Sequence, residues 1–270
     1  MAQFRTIEIS DPRFEHEGLR EITFKSPALR GRADVTLWLP PGVESLTDLP
    51  LALLLHGVYG SHWVWSRSGG AHRTAADLIA RGEIPPMALA MPSDGLAFDG
   101  SGYIVHGGRD FERYIVDEVP ACVREIVKSV TERSPLFIAG LSMGGFGALR
   151  LGAKYSDRFA AISGHSSITH FAQMSKFVEE RLAAYGPPPE GEKSVLHWML
   201  AHRDRLPPVR FDCGTEDVLI EENRQLHREL LDHQIPHEYQ EFPGGHEWQY
   251  WETHLADTLR FFGRWARHSR

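Results

Sequence analysis

One stretch limits what this chain can become: Leu136-Phe137-Ile138-Ala139-Gly140-Leu141-Ser142-Met143-Gly144-Gly145-Phe146-Gly147-Ala148-Leu149. A short apolar run, which reads as a strand, leads into Gly-x-Ser-x-Gly. A helix-forming segment then runs from Gly145 to Tyr155. Serine is a weak nucleophile unless a base takes its proton and a sharp turn presents its oxygen. Gly140 and Gly144 lack a Cβ, so the chain can reverse tightly on either side of Ser142. The free N–H groups of the helix start then point at the same spot, where an oxyanion would develop. The strand before the motif and the helix after it are the context that gives the motif meaning.

Such a strand-turn-helix needs a sheet to stand on, and the rest of the chain supplies one. Leu19 to Ser26 alternates apolar and polar residues, and so does Arg32 to Leu39. The pair reads as an antiparallel hairpin at a sheet edge, joined through Ala28-Leu29-Arg30-Gly31. Leu51-Ala52-Leu53-Leu54-Leu55 is unbroken apolar, as a strand buried on both faces requires. Further strands are expected at Met87–Met91, Phe159–Ser163, Val209–Cys213 and His237–Phe242. Helices are expected at Ala71–Arg81, Asp110–Glu132 (kinked or divided at Pro120), Leu219–His233 and Glu247–Arg267. From Leu51 onward strands alternate with helices, which predicts a mainly parallel sheet covered on both faces. The stretch from about 165 to 206, with Pro187-Pro188-Pro189 in its middle, interrupts that alternation. It reads as an insertion over the strand ends within one domain spanning 1–270.

Composition narrows the function. The net charge is −7 with no basic block, which argues against nucleic acid as a partner. No apolar run has the length of a membrane span, and the N-terminus lacks the pattern of a leader, so a cytoplasmic location is expected. Two cysteines, Cys122 and Cys213, are read as buried thiols. Fifteen histidines raise the question of metal, but there is no His-Glu-x-x-His, and Pro236 separates His233 from His237. No metal site is expected.

On a doubly covered parallel sheet, chemistry belongs to the loops at the carboxyl ends of the strands. The Ser142 turn is one. A second is Asp212-Cys213-Gly214-Thr215-Glu216-Asp217, where three carboxylates compete to orient a histidine. Asp217 is favoured, because Asp212 falls within the strand. A third is Phe242-Pro243-Gly244-Gly245-His246-Glu247-Trp248, which places His246 at a strand-to-helix turn as the general base. The chain order Ser…Asp…His is that of the α/β hydrolases. A fourth is His56-Gly57-Val58-Tyr59-Gly60, whose Val58 amide pairs with that of Met143 as an oxyanion hole, with Tyr59 as an alternative donor and His56 as a structural residue. Tyr59, Trp63 and Trp65 are candidate walls of a small acyl or alcohol pocket. His165, His170, Phe171 and Trp198 are candidates to cap it.

Taken together, Leu53-Leu54-Leu55-His56-Gly57, Trp65, Gly140 to Ala148, Cys213 to Asp217 and Gly244 to Trp248 resemble the esterase D-like branch of the α/β hydrolases, from about Leu19 to the C-terminus. That branch includes S-formylglutathione hydrolases, tributyrin esterases, feruloyl esterases and mycolyltransferases. The resemblance implies an α/β-hydrolase fold, a Ser142–Asp217–His246 triad, Val58 and Met143 as oxyanion donors, no cofactor, and frequent homo-oligomers. The Gly-Leu-Thr-Cys stretch typical of S-formylglutathione hydrolases is replaced here by Gly57-Val58-Tyr59-Gly60, which argues against that substrate. The leading expectation is a serine carboxylesterase acting on small, short-acyl esters. Acyl transfer from the same acyl-enzyme, thioester hydrolysis, carbohydrate or feruloyl ester hydrolysis, and a non-catalytic binding protein are the alternatives.

Overall fold

The computed structural model describes residues 4, 6–186 and 188–266. The sequence reading at Met1 to Gln3, Arg5, Pro187 and the helix end at Arg267 falls outside the described residues. The strands are β1 (Ile7–Ile9), β2 (Leu19–Ser26), β3 (Gly31–Trp38), β4 (Leu51–Leu55), β5 (Ala88–Pro92), β6 (Val105–His106), β7 (Arg109–Asp110), β8 (Leu136–Leu141), β9 (Ala161–His165), β10 (Val209–Gly214) and β11 (Glu238–Phe242). All but β6 and β7, which pair as a separate ribbon, form one sheet in the order β1-β2-β3-β5-β4-β8-β9-β10-β11. From β5 to β11 the neighbours are parallel, and β1 to β3 join antiparallel at one side. The expected hairpin is present, but β1 covers its outer strand, pairing Ile7 with Phe24. A three-residue edge strand is too short for its period to be read in sequence.

The helices are α1 (Val64–Arg67), α2 (Ala71–Ala80), α3 (Phe111–Arg113), α4 (Val119–Ile126), α5 (Met143–Lys154), α6 (Val195–Ala201), α7 (Ile220–Asp232) and α8 (Trp248–Ala266). Two apolar clusters lie on opposite faces of the sheet. Leu51, Leu53 and Leu55 point into one, with Phe146 and Leu149 of α5 and Leu226 of α7. Ala52 and Leu54 point into the other, with Leu78 of α2 and Leu255 and Leu259 of α8. Alternate side chains of a strand leave on opposite faces, so a strand covered on both sides must be apolar throughout. Each leucine so buried stabilises the fold by about 1.5–3 kcal/mol.

The helix expected over Asp110–Glu132 ends at Ile126, and its middle is not α-helical. Tyr114–Glu118 is a wider π-helical turn, immediately before Pro120 at the start of α4. Proline has no N–H and its ring crowds the preceding turn, and widening the helix there lets the chain pass without a break. Beyond Ile126 the chain turns, yet Val127 and Val130 still reach the core, so the apolar spacing outlasts the helix.

Between β9 and β10 the insertion consists of short 3₁₀ turns (Phe171–Lys176, Leu182–Tyr185, Glu190–Lys193, Arg203–Arg205) and α6. It is fastened to the nucleophile helix by charge. Arg150, fully buried on α5, pairs with Glu112 at 2.7 Å and with Glu192 of the insertion. Lys154 bridges the same two carboxylates at 2.7 and 2.6 Å. Removing one partner of such a buried group would strand the rest, so the network holds the insertion in one place.

Candidate active site

Ser142 sits at the end of β8 with φ 54° and ψ −119°, a left-handed region that side chains other than glycine rarely adopt. That conformation is over-determined by its surroundings, the condition for such strain to persist. The Ser142 amide donates to His165 O at 2.9 Å, while its carbonyl accepts from Phe146 at 3.1 Å and Ile168 at 3.2 Å. The turn is closed so tightly that a Cβ on Gly140 would lie 2.2 Å from Gly144 O, and one on Gly144 would lie 2.2 Å from Leu55 O. Glycine is therefore required on both sides of the serine, and α5 starts against the carboxyl ends of β8 and β4 together.

The loops after β10 and β11 are brought together in the same way. A Cβ on Gly214 would lie 2.1 Å from Gly244 O, and the Glu216 amide donates to that oxygen at 3.0 Å. This contact sets Asp217 beneath His246. His246 Nδ1 is 3.0 Å from both Asp217 oxygens, and its Nε2 is 2.9 Å from Ser142 Oγ. With Nδ1 carrying its proton to the carboxylate, Nε2 is left as an acceptor for the serine proton. Burial disfavours charge on Asp217. The hydrogen bond and charge of His246, with the Leu219 amide at 2.8 Å, overcome this and hold its carboxyl below the usual range.

The competing carboxylates are elsewhere. Glu216 points to solvent. Asp212 is fully buried and bound by Arg210, His165 and Tyr250. Burial opposes its charge, yet His165 and Arg210 hold its carboxyl far below the normal range. It is a structural ion, as its position inside the strand predicts.

At the end of β4 the pairing of Leu55 with Gly140 sets the turn from His56 to Gly60 beside the serine. A Cβ on Gly57 would be 3.3 Å from Ser142 Cβ. Among the described residues, the Val58 and Met143 amides have no hydrogen-bond acceptor outside their own elements, and both belong to the turns that flank Ser142. The Tyr59 amide instead donates to Asp99 O at 2.7 Å, which removes it as the alternative oxyanion donor. His56 is buried and structural: its Nδ1 is 2.7 Å from Gly57 O, and its Nε2 accepts from the Asp94 amide at 3.1 Å.

A cleft of about 550 Å³ opens over Ser142 and His246, walled by Tyr59, Trp63, Phe177, Trp248 and Trp251. Tyr59 and Trp63 are where the sequence places them. Trp65 is not: it is 1% exposed, gives its N–H to Leu55 O at 3.0 Å and packs edge-on against Trp248 at 5.8 Å. One turn of α1 sends Trp65 inward where Trp63 faces out. The residues expected to cap the site do not reach the cleft either. His165 belongs to β9 and binds Asp212, His170 caps the Phe171–Lys176 turn, Phe171 packs on Phe146 and Tyr185, and Trp198 lies under Lys154. The insertion reaches the site through Phe177 instead, whose ring stacks on His246 at 4.9 Å and 24°. Trp251 meets the same imidazole edge-on at 5.0 Å. Phe177 and Val178 are adjacent apolar residues between Lys176 and Glu179, and the sequence gives no sign of which of them faces the site. Among the described residues no group of three or more His, Cys, Asp or Glu is arranged to hold a metal ion.

A family model described as "Putative esterase" matches residues 26–262. An acetyl esterase of Caldicellulosiruptor saccharolyticus is 25% identical over 272 residues, covering 91% of this chain and 98% of that protein. A solved ferulic acid esterase superposes with a TM-score of 0.78 at 25% identity, covering 97% of this chain and 100% of that one. An S-formylglutathione hydrolase from Staphylococcus aureus shares the fold, with a TM-score of 0.75 at 19% identity over 94% of this chain and 98% of its own.

Proposed function

From its membership of the carboxylic ester hydrolase family described as "Putative esterase", to which the chain belongs, we propose that this protein hydrolyses small, short-acyl esters through Ser142, His246 and Asp217. The observation that carries the reading is the continuous set of hydrogen bonds from Ser142 Oγ through His246 to both oxygens of Asp217.

In the first half-reaction Ser142 Oγ bonds to the ester carbonyl carbon and its proton passes to His246 Nε2. The carbonyl oxygen becomes an oxyanion, which the Val58 and Met143 amides stabilise from fixed positions. Collapse of the tetrahedral adduct breaks the bond to the alcohol oxygen, which leaves with the proton held by His246. Water then attacks the acyl-enzyme by the same route in reverse, releasing the acid and free Ser142. Asp217 stays ionised throughout and holds the imidazole in the needed tautomer. The strained backbone of Ser142 and the stacked rings around His246 keep the reacting atoms in place before substrate arrives.

The aromatic walls support a small acyl group, because rigid rings bound the space beside Ser142 and offer apolar contact. The likeness to an acetyl esterase supports the same choice. A series of p-nitrophenyl esters from acetate to palmitate tests both parts. Turnover should be fast for short chains, fall steeply for long ones, and vanish in Ser142→Ala. Retained turnover in a folded Ser142→Ala protein would sink the mechanism, and a preference for long chains would sink the substrate class.

A further inference from the structure

Away from the Ser142 cleft, beside the β2–β3 hairpin and the loop after β5, a second cleft of about 570 Å³ opens. It shares no lining residue with the first. Arg30, Arg32 and Arg109 line it, and Asp34 is its one carboxylate. Asp34 is already engaged, accepting the Thr23 hydroxyl at 2.5 Å. Among the described residues none of the three guanidiniums has an ion pair or a hydrogen bond, although acids outnumber bases 36 to 29 in this chain. Lys25 stands directly opposite Arg32 in the hairpin register. Like charges directly opposite on antiparallel strands repel, so this pairing is unfavourable in itself.

The cleft is built from three segments fastened by their main chains. The Ser93 amide donates to Asp34 O at 2.8 Å, and the Asp110 amide to Ala28 O at 3.0 Å, which ties the β6–β7 ribbon to the hairpin turn. The Arg30 guanidinium reaches that ribbon: a Cβ on Gly108 would be 3.4 Å from its Nη1. Two of the lining residues, Arg30 (φ 53°) and Leu96 (φ 52°), hold the left-handed backbone that side chains rarely adopt. Leu96 is also 70% exposed. Strained residues that present unpaired cations and a bare apolar side chain to one hollow are the marks of a binding site.

We propose that this cleft binds a small organic polyanion, a molecule carrying two or more carboxylate or phosphate groups on a short body that rests against Leu96. Guanidinium groups match the planar, two-oxygen faces of both anions and are only weakly hydrated, so they give up water readily to such a ligand. The polyanion supplies the acidic partner that the Arg30, Arg32 and Arg109 guanidiniums do not have within the described residues.

Isothermal titration of the whole protein with citrate, inorganic pyrophosphate and acetate at low salt tests this. Citrate or pyrophosphate should bind saturably, with acetate at least about tenfold weaker, and raising the salt to physiological strength should weaken the binding. The tighter of the two polyanions assigns the group as carboxylate or phosphate. Replacing Arg30, Arg32 and Arg109 together by glutamine should weaken binding by at least about tenfold without lowering Tm, since the three are exposed and unpaired. Arg109→Gln alone keeps the test available should the triple variant fail to fold, and it should weaken binding severalfold. Absence of saturable binding by both polyanions, or affinity unchanged in the folded variants, overturns the proposal.

Discussion

Asp212 and Asp217 lie five positions apart on one strand end, and exchanging each for asparagine should produce opposite phenotypes. Asp212 is fully buried and neutralises Arg210, which is itself 1% exposed, while also accepting from His165 and Tyr250. Asp212→Asn removes the charge and leaves the Arg210 guanidinium buried without it. Breaking a buried pair from one side costs about 3–5 kcal/mol. At roughly 2–4 °C per kcal/mol for a chain of this size, Tm should fall by about 6–20 °C. Below that Tm the site is intact, so kcat should change by less than about tenfold. Asp217 touches no buried cation but holds His246, so Asp217→Asn should shift stability by about 1 kcal/mol or less. It should lower kcat on the order of 10⁴-fold, because an amide stabilises neither the required tautomer nor the imidazolium. Thermal denaturation and p-nitrophenyl acetate kinetics on both variants read the two effects. A folded Asp212→Asn protein without activity, beside an active Asp217→Asn protein, would refute the assignment of roles.

Three other outcomes are expected. Phe177→Ala removes the ring stacked on His246, an interaction of about 0.5–1.5 kcal/mol, and should lower kcat/KM about two- to twelvefold; steady-state kinetics showing no change would leave Phe177 as a bystander. Trp63→Ala should raise KM while leaving Tm within a degree or two, whereas Trp65→Ala should cost about 3–5 kcal/mol in a denaturant titration because it empties the core under the site. The folded-state carboxyls of Asp212 and Asp217 lie below their unfolded value near pH 3.9, so the stability they contribute is fully present above that pH and is lost as pH falls through the folded values; acid unfolding monitored by circular dichroism should be steeper for wild type than for Asp212→Asn.

The fold was legible where residues are constrained on two sides at once. Leu51 to Leu55 must be apolar on both faces, and Gly140 and Gly144 must lack side chains for the Ser142 turn to close. Such positions admit few residue types, so their meaning survives in the sequence. The order of Ser142, Asp217 and His246 was readable for the same reason, because each follows a strand whose end is fixed by the sheet. What was not legible depends on which way one side chain turns. Trp63 and Trp65 are chemically alike in sequence, and only the single turn of α1 sends one out and the other in. The insertion was recognised by its irregular pattern. Its contact with the site runs through Phe177, whose direction is set by contacts on both flanks: Lys176 with Glu222, and the Glu179 amide with Asp99. Those partners lie far away in the chain, so no local period encodes them. The π-helical turn before Pro120 is invisible for another reason, since a proline alone does not say whether a helix breaks, kinks or widens.

Every role proposed for the site depends on Ser142 Oγ being the nucleophile. Treating the folded protein with an alkyl phosphonate that forms stable adducts with activated serines, followed by peptide mass spectrometry, addresses it without reference to any substrate. One adduct per chain is expected, on the peptide carrying Ser142, with slowed labelling in His246→Ala and none in Ser142→Ala. An adduct on a different residue, or a folded and esterolytic protein that takes none, would contradict it.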